Sequence, residues 1–223
     1  MFIGHFALGF AAKRATPRVS LAVLFGAAQF ADLLWPVLVL SGIEQVRIDP
    51  GNTAFTPFDF MSYPYSHSLF FLLIWGVVFG FVYRQFAGGG RRALLVLSAL
   101  VVSHWVLDVL THRADMPLYP GGPKFGLGLW NSVPGTVAVE LPLYAAGLWV
   151  YARATRARDG IGRWAFLSLA ASLVGIYFVG LAGPPPPSVT ALSATALCGV
   201  ALLILWSWWA DGHRESQRTS GLS

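Results

Sequence analysis

The sequence predicts an all-α integral membrane protein of about six transmembrane helices plus a short N-terminal apolar helix, and three observations carry this. Hydrophobic residues fill 56% of the 223 positions and charged residues only 11%, against roughly 25% charged in an average soluble domain. The apolar residues gather in stretches close to the ~20 residues a helix needs to cross a hydrocarbon core. The basic residues flank those stretches instead of forming a stripe on a soluble face, so the net charge of +5 marks membrane orientation and not a nucleic-acid partner. Gly (24) and Pro (14) are spread along the chain, which excludes collagen-like and low-complexity disordered classes. Residues 1–215 read as a single polytopic membrane domain and 216–223 as a flexible cytoplasmic tail.

Six stretches qualify or nearly qualify as spans: roughly 20–42, 67–86, 93–112, 136–152, 164–183 and 189–210. The fourth is the weakest, because Pro142 interrupts a short run, although neighbouring helices can satisfy a carbonyl freed by proline. The opening MFIGHFALGFAA is apolar but too short to span. It reads as an interfacial helix or as a half-helix buried against the bundle, where protein covers it. Lys13, Arg14 and Arg18 follow this stretch instead of preceding it, so it is not an ordinary cleavable signal and is expected to stay in the mature protein. Cys198 has no partner and gives no disulfide framework. Gly76 and Gly80 in GVVFG form a small-residue packing motif of low specificity.

The connecting segments alternate in charge. Lys13, Arg14, Arg18, Arg84, Arg91, Arg92, Arg153, Arg156, Arg158, Arg163, Arg214 and Arg218 fall on one side, twelve of the fifteen basic residues. The other side holds Arg47, Arg113 and Lys124 in two long loops, 43–66 and 112–135. The positive-inside rule makes both termini cytoplasmic, in a multi-pass protein of the cell inner membrane. Long loops rich in Pro, Gly and aromatics serve as lids or binding surfaces or as interfacial anchors.

Ionisable groups inside a bilayer are costly, so each is a candidate functional residue whose partner is to be sought. Asp32 lies midway along the first span, His67 opens the second, and SHWVLDVLTH in the third carries His104, Asp108 and His112. Residues four apart share a helix face, so His104 and Asp108 point the same way. Imidazole nitrogen and carboxylate oxygen are the ligands of a divalent metal such as zinc; a carboxylate or carbonyl can alternatively fix a histidine tautomer from behind. At 1.5 Å per residue, Asp32 and His104 sit about 12–15 Å below the outer surface and can meet. His67 and Asp108 then lie nearer that surface, lining an outward cavity. His5 joins them if the N-terminal segment folds into the bundle.

Each residue also has a structural reading. A lone membrane histidine often bonds a neighbouring helix, a lone Asp pairs with an Arg, and His67 in PYSHSL can cap a helix with Ser66. Four of the five histidines meeting both carboxylates of the first three spans at compatible depths favours a shared site. His213, beside Asp211 and Arg214, reads as solvated. Glu140, at the start of the fourth span, is an additional ligand, a general base, or a carboxylate favoured by the helix dipole. Asp115 with Arg113 reads as a loop ion pair.

Gly4-His5, Asp32, His67-Ser68-Leu69, and Ser103, His104, Asp108 and Thr111 in the pattern SHxxxDxxT resemble the YdjM-type family of membrane-bound metal-dependent hydrolases, over residues 1–115. The resemblance implies a metal site on His5, Asp32, His67, His104 and Asp108, with a distant likeness in ligand order to zinc-dependent phospholipase C. This sequence departs from the family's Pro-Asp-x-Asp in having Ala31-Asp32-Leu33-Leu34, one carboxylate fewer, which argues for one metal ion.

The expected function is a hydrolase in which one divalent metal, zinc, activates water, with Asp108 or Glu140 as general base. A site at the outer interface of the bilayer suits a lipid or lipid-linked phosphoester. The alternatives are a transporter of protons or metal, although no inverted repeat is evident, and a non-catalytic membrane protein with a structural metal.

Overall fold

In the computed structural model, which describes residues 1–217, the long apolar runs fold into helices, five of which begin on side-chain caps. Ser20, Ser68, Ser132, Asp159 and Ser188 each accept a backbone N–H from the first turn of α2 (Leu21–Ala28), α5 (Leu69–Ala87), α7 (Val133–Ala154), α8 (Gly160–Ala182) and α9 (Val189–Gly212). Such oxygens satisfy donors that the helix itself leaves unpaired. With α1 (Ile3–Ala15), α3 (Phe30–Leu40), the short α4 (Pro64–His67) and α6 (Arg91–Thr111), the chain is an all-α membrane protein. Among the described residues, five helices are long and apolar enough to cross a membrane, and six if α2 and α3 count as one span.

The first expected span is not straight. The chain bends by 55° between α2 and α3 at Gln29, whose φ of −101° and ψ of 13° leave the helical region. Gln29 is buried, and its amide has no hydrogen-bond partner among the described residues. The fourth span, by contrast, is a continuous helix through Pro142.

The N-terminal segment takes the buried alternative. Ile3, Phe6, Ala7 and Phe10 of α1 pack with Phe25, Tyr144, Tyr151 and Leu169 of three neighbouring helices. Close approach is required on the α7 side, where a Cβ added at Gly147 would lie 2.4 Å from the Ala7 carbonyl oxygen. Gly76 and Gly80 act as their spacing predicts: added Cβ atoms would meet the backbone oxygens of Ser98 at 2.8 Å and Leu94 at 2.7 Å. The α5 and α6 backbones are thus in contact, and Ser98 Oγ donates to the Gly76 carbonyl at 2.7 Å.

Short antiparallel ribbons close the two ends. At one end β1 (Gln45–Ile48) pairs with β2 (Phe58–Ser62), and β3 (Met116–Pro117) with β4 (Lys124–Phe125). At the other, β5 (Thr155–Ala157) pairs with β6 (Arg214–Ser216). Of the expected tail, Ser216 lies in β6 and Gln217 donates its N–H to the Ala154 carbonyl at 2.8 Å; 218–223 fall outside the described residues. Asp211 is buried, and Lys13 Nζ (2.6 Å) and the Tyr151 hydroxyl (2.7 Å) both donate to it. His213 pairs with Asp159 at 2.8 Å.

Candidate metal centre

One carboxylate is the hub of the site. Asp108, one helical turn past His104 on α6, turns Oδ2 toward three imidazoles: His104 Nε2 at 3.2 Å, His67 Nε2 at 3.9 Å and His112 Nε2 at 3.9 Å. Its Oδ1 faces His5 Nε2 at 3.0 Å and pairs with the Met1 α-amino group. Asp32, near the start of α3, places Oδ1 3.6 Å from His67 Nε2 and 3.7 Å from His104 Nε2. All these side chains are buried except Asp32, which is 32% exposed.

The ring orientations are set from behind. His104 Nδ1 lies 2.9 Å from the carbonyl oxygen of Ala28, just before the α2–α3 bend. A carbonyl only accepts, so Nδ1 carries a proton and, in the neutral ring, Nε2 presents a lone pair. His67 is fixed through a relay: Ser66 Oγ donates to Glu44 Oε2 at 2.6 Å and so accepts from His67 Nδ1 at 2.7 Å. Glu44, buried, also accepts the N–H groups of Tyr65 (2.8 Å) and Ser66 (2.9 Å). His112 Nδ1 lies 3.0 Å from Asp115 Oδ1, which accepts the Tyr63 hydroxyl at 2.8 Å. Burial, and then the Asp115 charge, hold the Tyr63 phenol well above its ordinary range, so it stays a neutral donor. Three imidazoles therefore turn Nε2 lone pairs toward carboxylate oxygens.

With neutral rings, this arrangement sets lone pairs against carboxylate oxygens, which a divalent cation between the groups would relieve. The spacing agrees. Direct N–H···O bonds span about 2.7–3.2 Å, whereas ligands held about 2.0–2.2 Å from one ion lie about 3–4.2 Å apart. Four of the contacts, at 3.6, 3.7, 3.9 and 3.9 Å, fall in the second range only. Two groups, His5–His104–Asp108 and Asp32–His67–His104, have all their ligand atoms within 4.8 Å of one another. The buried His and Asp side chains gathered here include a set that can hold a metal ion.

The structure brings together His5, Asp32, His67, His104 and Asp108. Glu140 is elsewhere. It is the buried eighth residue of α7, not its first, and its Oε2 accepts the N–H of Phe2 at 3.0 Å and of Gly4 at 3.4 Å. It is a helix-N-terminal carboxylate, but of α1. Its Oε1 has no partner among the described residues. His67 does not cap α5; Ser68 does. Arg113 Nε does reach Asp115 Oδ2 at 3.4 Å, but the other oxygen of Asp115 serves His112 and Tyr63.

Sequence reasoning missed Glu44, Tyr63 and the Ala28 carbonyl as groups that orient the imidazoles. Glu44 lies in a loop, outside every span, and only its position on the same expected side as Ser66 hinted at a link. No protein-family model matches this chain, and neither a curated protein nor a solved structure matches it significantly.

Proposed function

We propose that this chain is a membrane-embedded metal-dependent hydrolase with a single zinc centre on Asp32, His67, His104 and Asp108, acting on a phosphoester or lipid-linked substrate at the outer face. The observation that carries the metal is the convergence of imidazole lone pairs, their Nδ1 protons engaged elsewhere, on carboxylate oxygens at ligand spacing. Bound zinc would lower the pKa of a coordinated water and polarise an ester oxygen.

The chain's own groups then divide the work. Asp108 is committed on both oxygens, to the imidazoles and to His5, which favours a ligand over a general base. Asp32 keeps a third of its side chain open and is the carboxylate that substrate or water can reach. Glu140 has one buried oxygen without a partner among the described residues and holds the N-terminus of α1. The charge bias of the loops supports cytoplasmic termini, with the ribbon pairs β1–β2 and β3–β4 on the outer side.

The test is metal analysis of the detergent-purified protein beside chelator-sensitive hydrolysis of soluble and lipid phosphoesters. Near-stoichiometric zinc with hydrolysis abolished by chelator is expected. Protein free of metal after zinc reconstitution sinks the centre. A second reading, ion transport, is favoured by the broken α2–α3 span at the depth of Asp32, since discontinuous helices line transporter sites. Metal flux into liposomes without hydrolysis would select it.

A further inference from the structure

His112 lies outside the four-residue centre just proposed, and His5, counted with the centre from the sequence, fits it poorly. The rings of His5 and His104 stack with centroids 3.7 Å apart and planes within 1°. A metal bound to imidazole lies close to the ring plane, along the nitrogen lone pair, at about 2.0–2.1 Å. Two parallel planes separated by a stacking distance have no such point in common. His5 and His104 therefore cannot both ligate one ion in this arrangement, and the choice between them is not even. His104 has its Nδ1 proton engaged by the Ala28 carbonyl and turns Nε2 toward both Asp108 Oδ2 and Asp32 Oδ1. His5 has an Nδ1 without a partner among the described residues and an Nε2 at ordinary hydrogen-bond distance from Asp108 Oδ1.

His112 has the opposite features. α6 ends at Thr111, and His112 turns out of the helix with φ −65° and ψ 151°. Its Nδ1 faces Asp115, an acceptor that Tyr63 already supplies with a hydroxyl proton. Its Nε2 is left as a lone pair 3.9 Å from Asp108 Oδ2, too far for a hydrogen bond and within the ligand–ligand range. The ring is buried and held against Trp130 (centroids 4.2 Å) and Phe60 (4.9 Å).

We propose that His112, oriented by Asp115 and Tyr63, is the third imidazole ligand of the centre, and that His5 is a positioning residue that donates to Asp108 Oδ1. The assignment rests on the metal reading of the site and is independent of hydrolysis. It has a structural consequence. Asp115 also takes Arg113, whose guanidinium pairs with Asp59 on β2, and Asp59 holds Arg47 at 2.8 Å. One ligand of the metal is thereby tied to the ribbon that covers the site's loop end.

The experiment is zinc affinity by competition with a chromophoric chelator, on the full-length protein and its H112Q, D115N and H5Q forms, with X-ray absorption counting imidazoles on the zinc-loaded samples. Wild type is expected to show three imidazoles, H5Q three and H112Q two. Affinity should fall at least 100-fold in H112Q and 10–100-fold in D115N, the usual cost of losing an outer hydrogen bond to a ligand, and less than about 10-fold in H5Q, whose amide N–H can still donate. Two imidazoles in wild type, or an H112Q protein that binds zinc as wild type does, overturns the assignment and leaves the metal centre standing. A wild-type protein that binds no zinc overturns both. The wild-type count requires no substitution, so misfolding of a variant does not rescue the proposal.

Discussion

His104 Nδ1 lies 2.9 Å from the carbonyl oxygen of Ala28, and the chain bends by 55° at the next residue. The bend and the imidazole belong together: a backbone acceptor that a straight helix would have consumed instead fixes which nitrogen of His104 faces the carboxylates. Replacing His104 removes the ring nearest Asp108 Oδ2. His104→Ala is expected to lose zinc affinity by at least 100-fold. Zinc at about 100 times its Kd stabilises a folded protein by ~2.7 kcal/mol, so chelation should lower the melting temperature of wild type and leave that of His104→Ala unmoved. An equal chelator shift in both proteins contradicts the site.

Ser66 relays between Glu44 and His67. Ser66→Ala deletes the acceptor that holds His67 Nδ1 and leaves the two backbone N–H groups still bonded to Glu44. Zinc affinity should drop 10–100-fold while the helical circular dichroism is unchanged. Ser103→Ala is the control, because Ser103 Oγ donates only to the Leu100 carbonyl of its own helix, and its affinity should match wild type.

Much of this was legible in the sequence, for reasons tied to particular residues. Apolar length and flanking basic residues announce the long helices, and the i, i+4 spacing of His104 and Asp108 announces their common face. Depth along the first and third spans, which run in the same direction, brought Asp32 to His104. What the sequence could not carry is the break at Gln29, since a bend inside an apolar run depends on where the freed carbonyl finds a donor, and that donor is 76 residues away. The loops were opaque for a similar reason: Asp115 looks like half of an ion pair until the fold puts His112 and Tyr63 on its other oxygen. Lys13 and Asp211, nearly two hundred positions apart, share no local pattern at all.

That last pair supports a stability prediction. Lys13 Nζ donates to Asp211 Oδ2 at 2.6 Å and to the Val19 carbonyl at 2.9 Å, and the Leu21 N–H and Tyr151 hydroxyl complete the carboxylate. Both charges are buried, so removing one strands the other, at a cost of about 3–5 kcal/mol. Lys13→Met should melt well below wild type, and Lys13→Met with Asp211→Leu should recover part of the loss. The pair lies at the end of the bundle away from the centre, so zinc affinity in the folded single variant should stay within about threefold of wild type. A single variant as stable as wild type would show that the pair does not lock α1 to α9.

Two glycines in neighbouring helices should respond to the same substitution with opposite sign. Gly147 on α7 faces Ala7 on α1, and an added Cβ would sit 2.4 Å from the Ala7 carbonyl oxygen and 2.7 Å from its Cα. Both are backbone atoms, so α1 must move bodily, at an overpacking cost of about 1–3 kcal/mol. Gly175 on α8 has nothing within 4 Å of an added Cβ, and there alanine gains up to about 1 kcal/mol of helix propensity. Gly147→Ala should therefore lower the melting temperature and Gly175→Ala should hold or raise it. Because α1 carries His5 two residues before Ala7, Gly147→Ala should also weaken zinc binding through the His5–Asp108 bond, while Gly175→Ala should not. A Gly147→Ala protein with wild-type stability and wild-type zinc affinity would mean that α1 does not dock against α7 as closely as the structure has it.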